Sequence, residues 1–176
     1  MTNSSTSAAS ALPSTPIVLI TGGSRGLGRS AALAAARTGI DVVLTYRQQA
    51  AEAQAVVAEI EALGRRAVAL PLDVGDVRSF EGFAAQLTQA LQTHWQRERF
   101  DFLVNNAGMG VPASITDTTE AQFDDMVNIH LKGVFFLTQK LLPLMNDGGR
   151  ILNVSSGLAR FALPGYAAYA AMKGGV

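Results

Sequence analysis

Short runs that are apolar throughout alternate along this chain with amphipathic stretches. Ile17-Val18-Leu19-Ile20, Val42-Val43-Leu44-Thr45, Ala67 to Leu72, Phe102-Leu103-Val104 and Ile151-Leu152-Asn153-Val154 predict five strands. Helical spacing fills the gaps: an Ala-rich segment from Gly26 to Arg37, a second from about Gln48 to Leu63 stopping at Gly64, and a third carrying Phe80, Phe83, Leu87 and Leu91. A long helix is predicted from near Thr119, where Thr119 and Gln122 fit a capping box. Phe123, Met126, Val127, Leu131, Val134, Thr138 and Leu141 form its predicted inner face. Strands apolar on both sides are covered on both faces, and strand–helix alternation implies parallel strands joined by crossovers. The predicted fold is a doubly wound parallel α/β sheet. Phe135, Phe136 and Leu137 stand beside the inner face of the long helix, so a subunit contact is expected there.

Composition narrows the function. The chain has 176 residues, one domain at about 150 residues each with a little over. Fourteen basic and fourteen acidic side chains balance, which argues against a nucleic-acid or anionic-membrane partner. There is no cysteine, so disulfides, thiolate metal sites and cysteine nucleophiles are excluded. His94 and His130 are too few for most zinc sites. No apolar run approaches the ~18 residues of a membrane span. Residues 1–16 are Ser, Thr, Ala and Pro without charge or periodicity, and read as a disordered tail rather than a secretory signal. Asn3-Ser4-Ser5 and Asn153-Val154-Ser155 then match the glycosylation acceptor by chance. Residues 17–176 read as one cytoplasmic, soluble domain.

Chemistry enters at the turn after the first strand. Thr21-Gly22-Gly23-Ser24-Arg25-Gly26-Leu27-Gly28 joins that strand to the first helix. Glycines there let a pyrophosphate approach the helix N-terminus, where free N–H groups and the dipole favour anions. A dinucleotide fingerprint expects an acid about 20 residues on, to hold the ribose 2′-hydroxyl. Tyr46 and Arg47 stand there instead. Arg25 and Arg47 can pair with a 2′-phosphate that an acid would repel, so NADP(H) is expected over NAD(H).

Three ordered motifs now combine: Thr21-Gly22-x-x-x-Gly26-x-Gly28, then Asn105-Asn106-Ala107-Gly108 after the fourth strand, then Ser156 with Tyr169-Ala170-Ala171-Met172-Lys173. Together they resemble the short-chain dehydrogenase/reductase family, and most closely its 3-oxoacyl-[acyl-carrier-protein] reductase-like members, over about Ile17 to Val176. The resemblance implies a Rossmann-type NAD(P)-binding domain. It also implies that Gly22, Ser24, Arg25, Gly26, Leu27, Gly28 and Arg47 cradle the phosphates, and that Asp73 and Val74 lie beside the adenine. Asn105, Ala107 and Gly108 would line the cleft and stiffen the sheet edge. Asn128 matches the family's fourth catalytic position. Family spacing selects Ser156 over Ser155, and Tyr169 over Tyr166, which has Ala170 and not lysine four places on.

Tyr169 and Lys173 are one helical turn apart. An ammonium that close to a phenol favours the ionised form, which is what turns a weak acid into an acid–base group usable near neutrality. The expected reaction transfers hydride between NADP(H) and a ketone or 3-oxoacyl carbonyl, with Tyr169 giving the proton. Ser156 would hydrogen-bond the same oxygen, and Lys173, also a cofactor contact, would tune Tyr169. Asn128 would place a water that passes protons to Lys173. His130, two residues on, is expected to face elsewhere and to be structural.

A dinucleotide-binding sheet normally supplies about six strands, and five are counted here. The family's further strands and substrate loop are expected beyond Val176, so the substrate is unnamed and the chain alone is expected to turn over little. A homodimer or homotetramer is expected of the complete protein. Two other classes compete with the oxidoreductase: a nucleotide-binding module without turnover, and an interaction subunit.

Overall fold

The computed structural model describes residues 15–176, so most of the predicted tail, residues 1–14, lies outside the described residues. Five parallel strands form one sheet: β1 (Ile17–Ile20), β2 (Asp41–Tyr46), β3 (Ala67–Pro71), β4 (Phe100–Asn105) and β5 (Met145–Asn153), in the order β3-β2-β1-β4-β5. Helices α1 (Gly26–Arg37), α2 (Ala50–Ala62), α3 (Phe80–Trp95), α4 (Glu120–Val127), α5 (Gly133–Leu141) and α6 (Ala167–Gly174) connect or follow them.

Alternation along β1 explains the two layers. Ile17 and Leu19 join a core with Phe80, Phe83 and Leu87 of α3 and Leu137 and Leu141 of α5. Val18 and Ile20 point the other way, into a core with Ala32 and Leu33 of α1 and Val56 and Ile60 of α2. Each fully buried Leu, Ile or Phe contributes roughly 1.5–3 kcal/mol, so covering both faces is what holds the sheet. The predicted bounds of β1 and α1 coincide with the observed ones. The tail prediction needs trimming. Pro16 carbonyl accepts the Asp41 N–H at 2.9 Å and Thr15 carbonyl accepts from Arg97, so residues 15 and 16 are tied in at the start of the central strand β1.

The long helix is the main departure. Its start is as predicted: Thr119 caps α4 through a complete capping box with Gln122. At Asn128 the helix then opens into a π turn, Asn128–Lys132, closed by Gly133 N–H donating to the Asn128 carbonyl, before α5 resumes. The buried line runs Met126, Ile129, His130, Gly133, Leu137, Leu141. Leu131, Val134 and Thr138, predicted inside, are half-buried, and Phe123 is 42% exposed. An apolar count misses this line because two of its members are a histidine and a glycine, the latter lying against the Val74 backbone. Leu137 is buried, whereas Phe135 and Phe136 are 64% and 38% exposed and pack edge to face on each other. No helix among the described residues is long and apolar enough to cross a membrane.

Candidate active site

After β3 the chain crosses back past β1 to begin β4, so strand order reverses between β1 and β4. The loops leaving the carboxyl ends of the strands part there and leave a crevice. A cleft of about 410 Å³ occupies it. Gly22, Ser24, Arg25, Gly26, Leu27 and Gly28 form one wall, Arg47 closes the end over β2, Asp73 and Val74 follow β3, and Ala107 and Gly108 follow β4.

The glycine turn is latched from a distance. Thr21 Oγ1 accepts the backbone N–H of Asn106 and of Ala107, each at 3.0 Å. Asn106 Nδ2 donates to the carbonyls of Thr21 and Gly22 at 2.9 and 3.2 Å. Gly22 N–H donates to Thr45 Oγ1 at 3.2 Å. Gly28 lies so close under this turn that a Cβ would stand 2.2 Å from the Gly22 carbonyl oxygen. No side chain caps the start of α1, and its first turn carries no acid, so its free N–H groups face the cleft. Arg25 and Arg47 are exposed and make no ion pair among the described residues. The donors, the two cations and the close backbone approach fit a dinucleotide phosphate with an extra phosphate on its ribose.

Asn105 departs from its expected place. It is buried away from the cleft, donating to Thr138 Oγ1 at 3.0 Å and Asn153 Oδ1 at 2.9 Å. Neighbours at a strand end point to opposite sides, so it is Asn106 that reaches the cleft while Asn105 ties β4 to β5 and α5. The signal for Asn106 was the second Asn of the pair, which spacing alone could not separate from the first.

A second hollow of about 300 Å³ adjoins the cleft. Leu27, Asn106, Gly108 and Met109 line both, and Ser156, Tyr169 and Lys173 line the second. Ser156 follows β5 and caps the short turn Gly157–Ala159, its Oγ accepting from Leu158 N–H at 3.2 Å. Lys173 is buried, and its Nζ donates to the Val154 carbonyl at 2.7 Å. The same Nζ lies 5.8 Å from the centre of the Tyr169 ring. Burial holds the Lys173 ammonium below its ordinary pKa. Ser155, which the motif spacing passed over, donates to the Lys173 backbone carbonyl at 2.7 Å and so fixes α6 to the end of β5. Tyr166 meets Tyr169 edge to face, centroids 6.3 Å apart at 75°, but does not line the hollow.

Asn128 opens the π turn, half-buried, and its side chain makes no hydrogen bond among the described residues. His130 does not face elsewhere. Its ring meets Tyr169 edge to face, centroids 5.4 Å apart at 90°. Among the described residues no group of three or more His, Cys, Asp or Glu could hold a metal.

Comparison with known proteins agrees with this architecture. The family model described as short chain dehydrogenase matches residues 16–176. The chain is 37% identical over 163 residues to a 3-oxoacyl-[acyl-carrier-protein] reductase of Synechocystis sp., covering 91% of this chain and 63% of that protein. A short chain dehydrogenase from Burkholderia cenocepacia, solved in complex with NADP, superposes with a TM-score of 0.83 at 37% identity, covering 92% of this chain and 64% of that one. The landomycin C-6 ketoreductase LanV, solved with NADP and rabelomycin, gives a TM-score of 0.88 at 35% identity over 92% and 66%. This chain thus spans less than two thirds of the length of these relatives. It belongs to the short-chain dehydrogenase family.

Proposed function

We propose that the chain carries the cofactor cleft and proton-transfer group of an NADP(H)-dependent oxidoreductase that interconverts a ketone, or a 3-oxoacyl group, and its alcohol. The observation that carries this reading is the shared wall of Leu27, Asn106, Gly108 and Met109, which joins the phosphate-binding cleft to the hollow holding Ser156, Tyr169 and Lys173. Bound NADP(H) would supply or accept the hydride. Arg25 and Arg47 would hold its 2′-phosphate, the α1 N-terminus its pyrophosphate, and Asp73 with Val74 its adenine end. Tyr169 gives its proton to the oxygen of the carbonyl as that oxygen gains charge, and takes it back in the reverse direction. Ser156 donates a hydrogen bond to the same oxygen. Lys173 keeps its ammonium beside the Tyr169 ring, 5.8 Å from the ring centre. The NADP-bound state of the Burkholderia protein and of LanV supports the cofactor, and LanV's name as a ketoreductase supports the carbonyl. The complete enzyme is a homodimer or homotetramer acting in the cytoplasm, with the exposed Phe135 and Phe136 pair supporting a contact through α5.

The test is a fluorescence titration. NADPH binds at least about tenfold tighter than NADH, a difference near 1.4 kcal/mol, and Arg47→Asp erases or reverses it. Equal affinities in the unsubstituted chain would overturn the cofactor assignment.

A further inference from the structure

His130 is 1% exposed. Its Nε2 lies 2.6 Å from the Met109 carbonyl oxygen and 3.4 Å from the Met109 backbone nitrogen, and the much shorter contact to the carbonyl favours the Nε2–H tautomer of the neutral ring. That leaves Nδ1 as a bare acceptor. Nδ1 is also the buried side-chain polar atom that has no partner among the described residues. Leaving such an atom unpaired is destabilising, and a phenylalanine would fill the same space without that cost. The ring is wedged as well. A Cβ on Gly108 would stand 2.8 Å from His130 Cε1, and the ring meets that of Tyr169 at 90° with centroids 5.4 Å apart. The π turn at Asn128–Lys132 carries this residue, and π turns inside helices occur often at functional sites.

We infer that His130 is a positioning residue for the Tyr169–Lys173 pair: an imidazole anchored on the Met109 backbone that fixes the Tyr169 ring. The inference rests on the oxidoreductase reading for its catalytic meaning, but not for its geometry. Tyr169 and Lys173 face the ring from α6, and Gly108 and Met109 face it with backbone. Burial, and then the Lys173 charge, push the imidazole below its ordinary 6.5, against the Met109 hydrogen bond that raises it. His130 is therefore neutral at neutral pH. Its protonation places two cations at one tyrosine and a buried N–H without an acceptor at Nδ1, which frees the ring.

The experiment is an NMR titration of the chain with labelled histidine and tyrosine rings, from about pH 8 to pH 4. His130 is expected as the Nε2–H tautomer at neutral pH, protonating below 6.5, with the Tyr169 ring signals moving at the same midpoint. His130→Gln removes that movement and Asn128→Ala leaves it. Gly108→Ala, which crowds Cε1, displaces the same Tyr169 signals. In NADPH-driven ketone reduction, His130→Gln lowers kcat about tenfold with the KM for NADPH within about twofold. Tyr169 signals that stay flat while His130 titrates would overturn the inference. So would the Nδ1–H tautomer, or an unchanged kcat in His130→Gln. Absence of turnover in the unsubstituted protein would instead count against the oxidoreductase reading, and the NMR arm would still decide His130.

Discussion

Lys173 is gripped twice, at Nζ by the Val154 carbonyl and at its own carbonyl by Ser155 Oγ, so both ends of the residue are fixed to one strand terminus. A cation held this way neither swings into solvent nor follows the Tyr169 ring. On the proposed mechanism, Tyr169→Phe removes the proton donor and keeps the ring. NADPH affinity is then expected to stay within about twofold while kcat for carbonyl reduction falls by about 10²–10⁴. Tyr166→Phe should change kcat by less than about threefold, and steady-state kinetics on both variants checks the assignment. His130 also sets a stability signature. Its pKa is lowered in the folded chain, so the unfolded chain takes up the proton first as pH falls. Stability is therefore full above 6.5 and declines as pH drops below it, toward the folded-state value. Urea midpoints across that range should fall less steeply in His130→Gln.

Among the elements, β2 begins at a buried charge. Asp41 accepts from the indole N–H of Trp95 at 2.8 Å, from Arg66 backbone N–H at 3.0 Å and from Arg66 Nε at 3.2 Å, with Arg65 Nε 3.7 Å away. This cluster joins β2, the start of β3 and the end of α3 at the edge of the sheet remote from the cleft. Asp41→Ala leaves the buried Trp95 and Arg66 N–H groups without an acceptor, while both arginines can turn to water. The expected loss is about 2–4 kcal/mol by urea denaturation, with NADPH affinity of the folded fraction unchanged. A loss below about 0.5 kcal/mol would show the cluster to be ornamental. Such polar ties were not legible in the sequence, because a strand-initial Asp reads as a turn residue. The strands themselves were legible, since a run buried on both faces is apolar at every position. β5 began six residues earlier than its apolar run, at Met145, because Met145 pairs with Phe100 and Arg150 with Phe102 across an irregular stretch of residues 146–149. At the site, the glycine turn was legible from its place after the first strand, and the residues picked out by the family resemblance, Ser156, Tyr169 and Lys173, line one hollow. The inward turn of His130 was not legible, since it depends on which side of the long helix meets the sheet.

For the molecule as a whole, the sheet ends on β5, an outer strand with Ile151 and Leu152 42% and 59% exposed. An exposed apolar outer strand is a template for pairing with another chain. Leu152→Lys is therefore expected to lower light scattering and raise the monodisperse fraction of the 176-residue chain without lowering its melting temperature. An unchanged profile would place the association elsewhere, at Phe135 and Phe136. The latch between Asn106 and the glycine turn joins residues 85 positions apart in sequence. A chain synthesised from its N-terminus has every phosphate-facing glycine and both arginines in hand by residue 47, yet the turn has no Asn106 to shape it. Nucleotide affinity should then arrive late and abruptly during synthesis, once β4 has emerged and paired with β1. Before that moment NADPH in the cell can neither stabilise the nascent sheet nor template it, so the first half of the fold must stand on its own apolar packing.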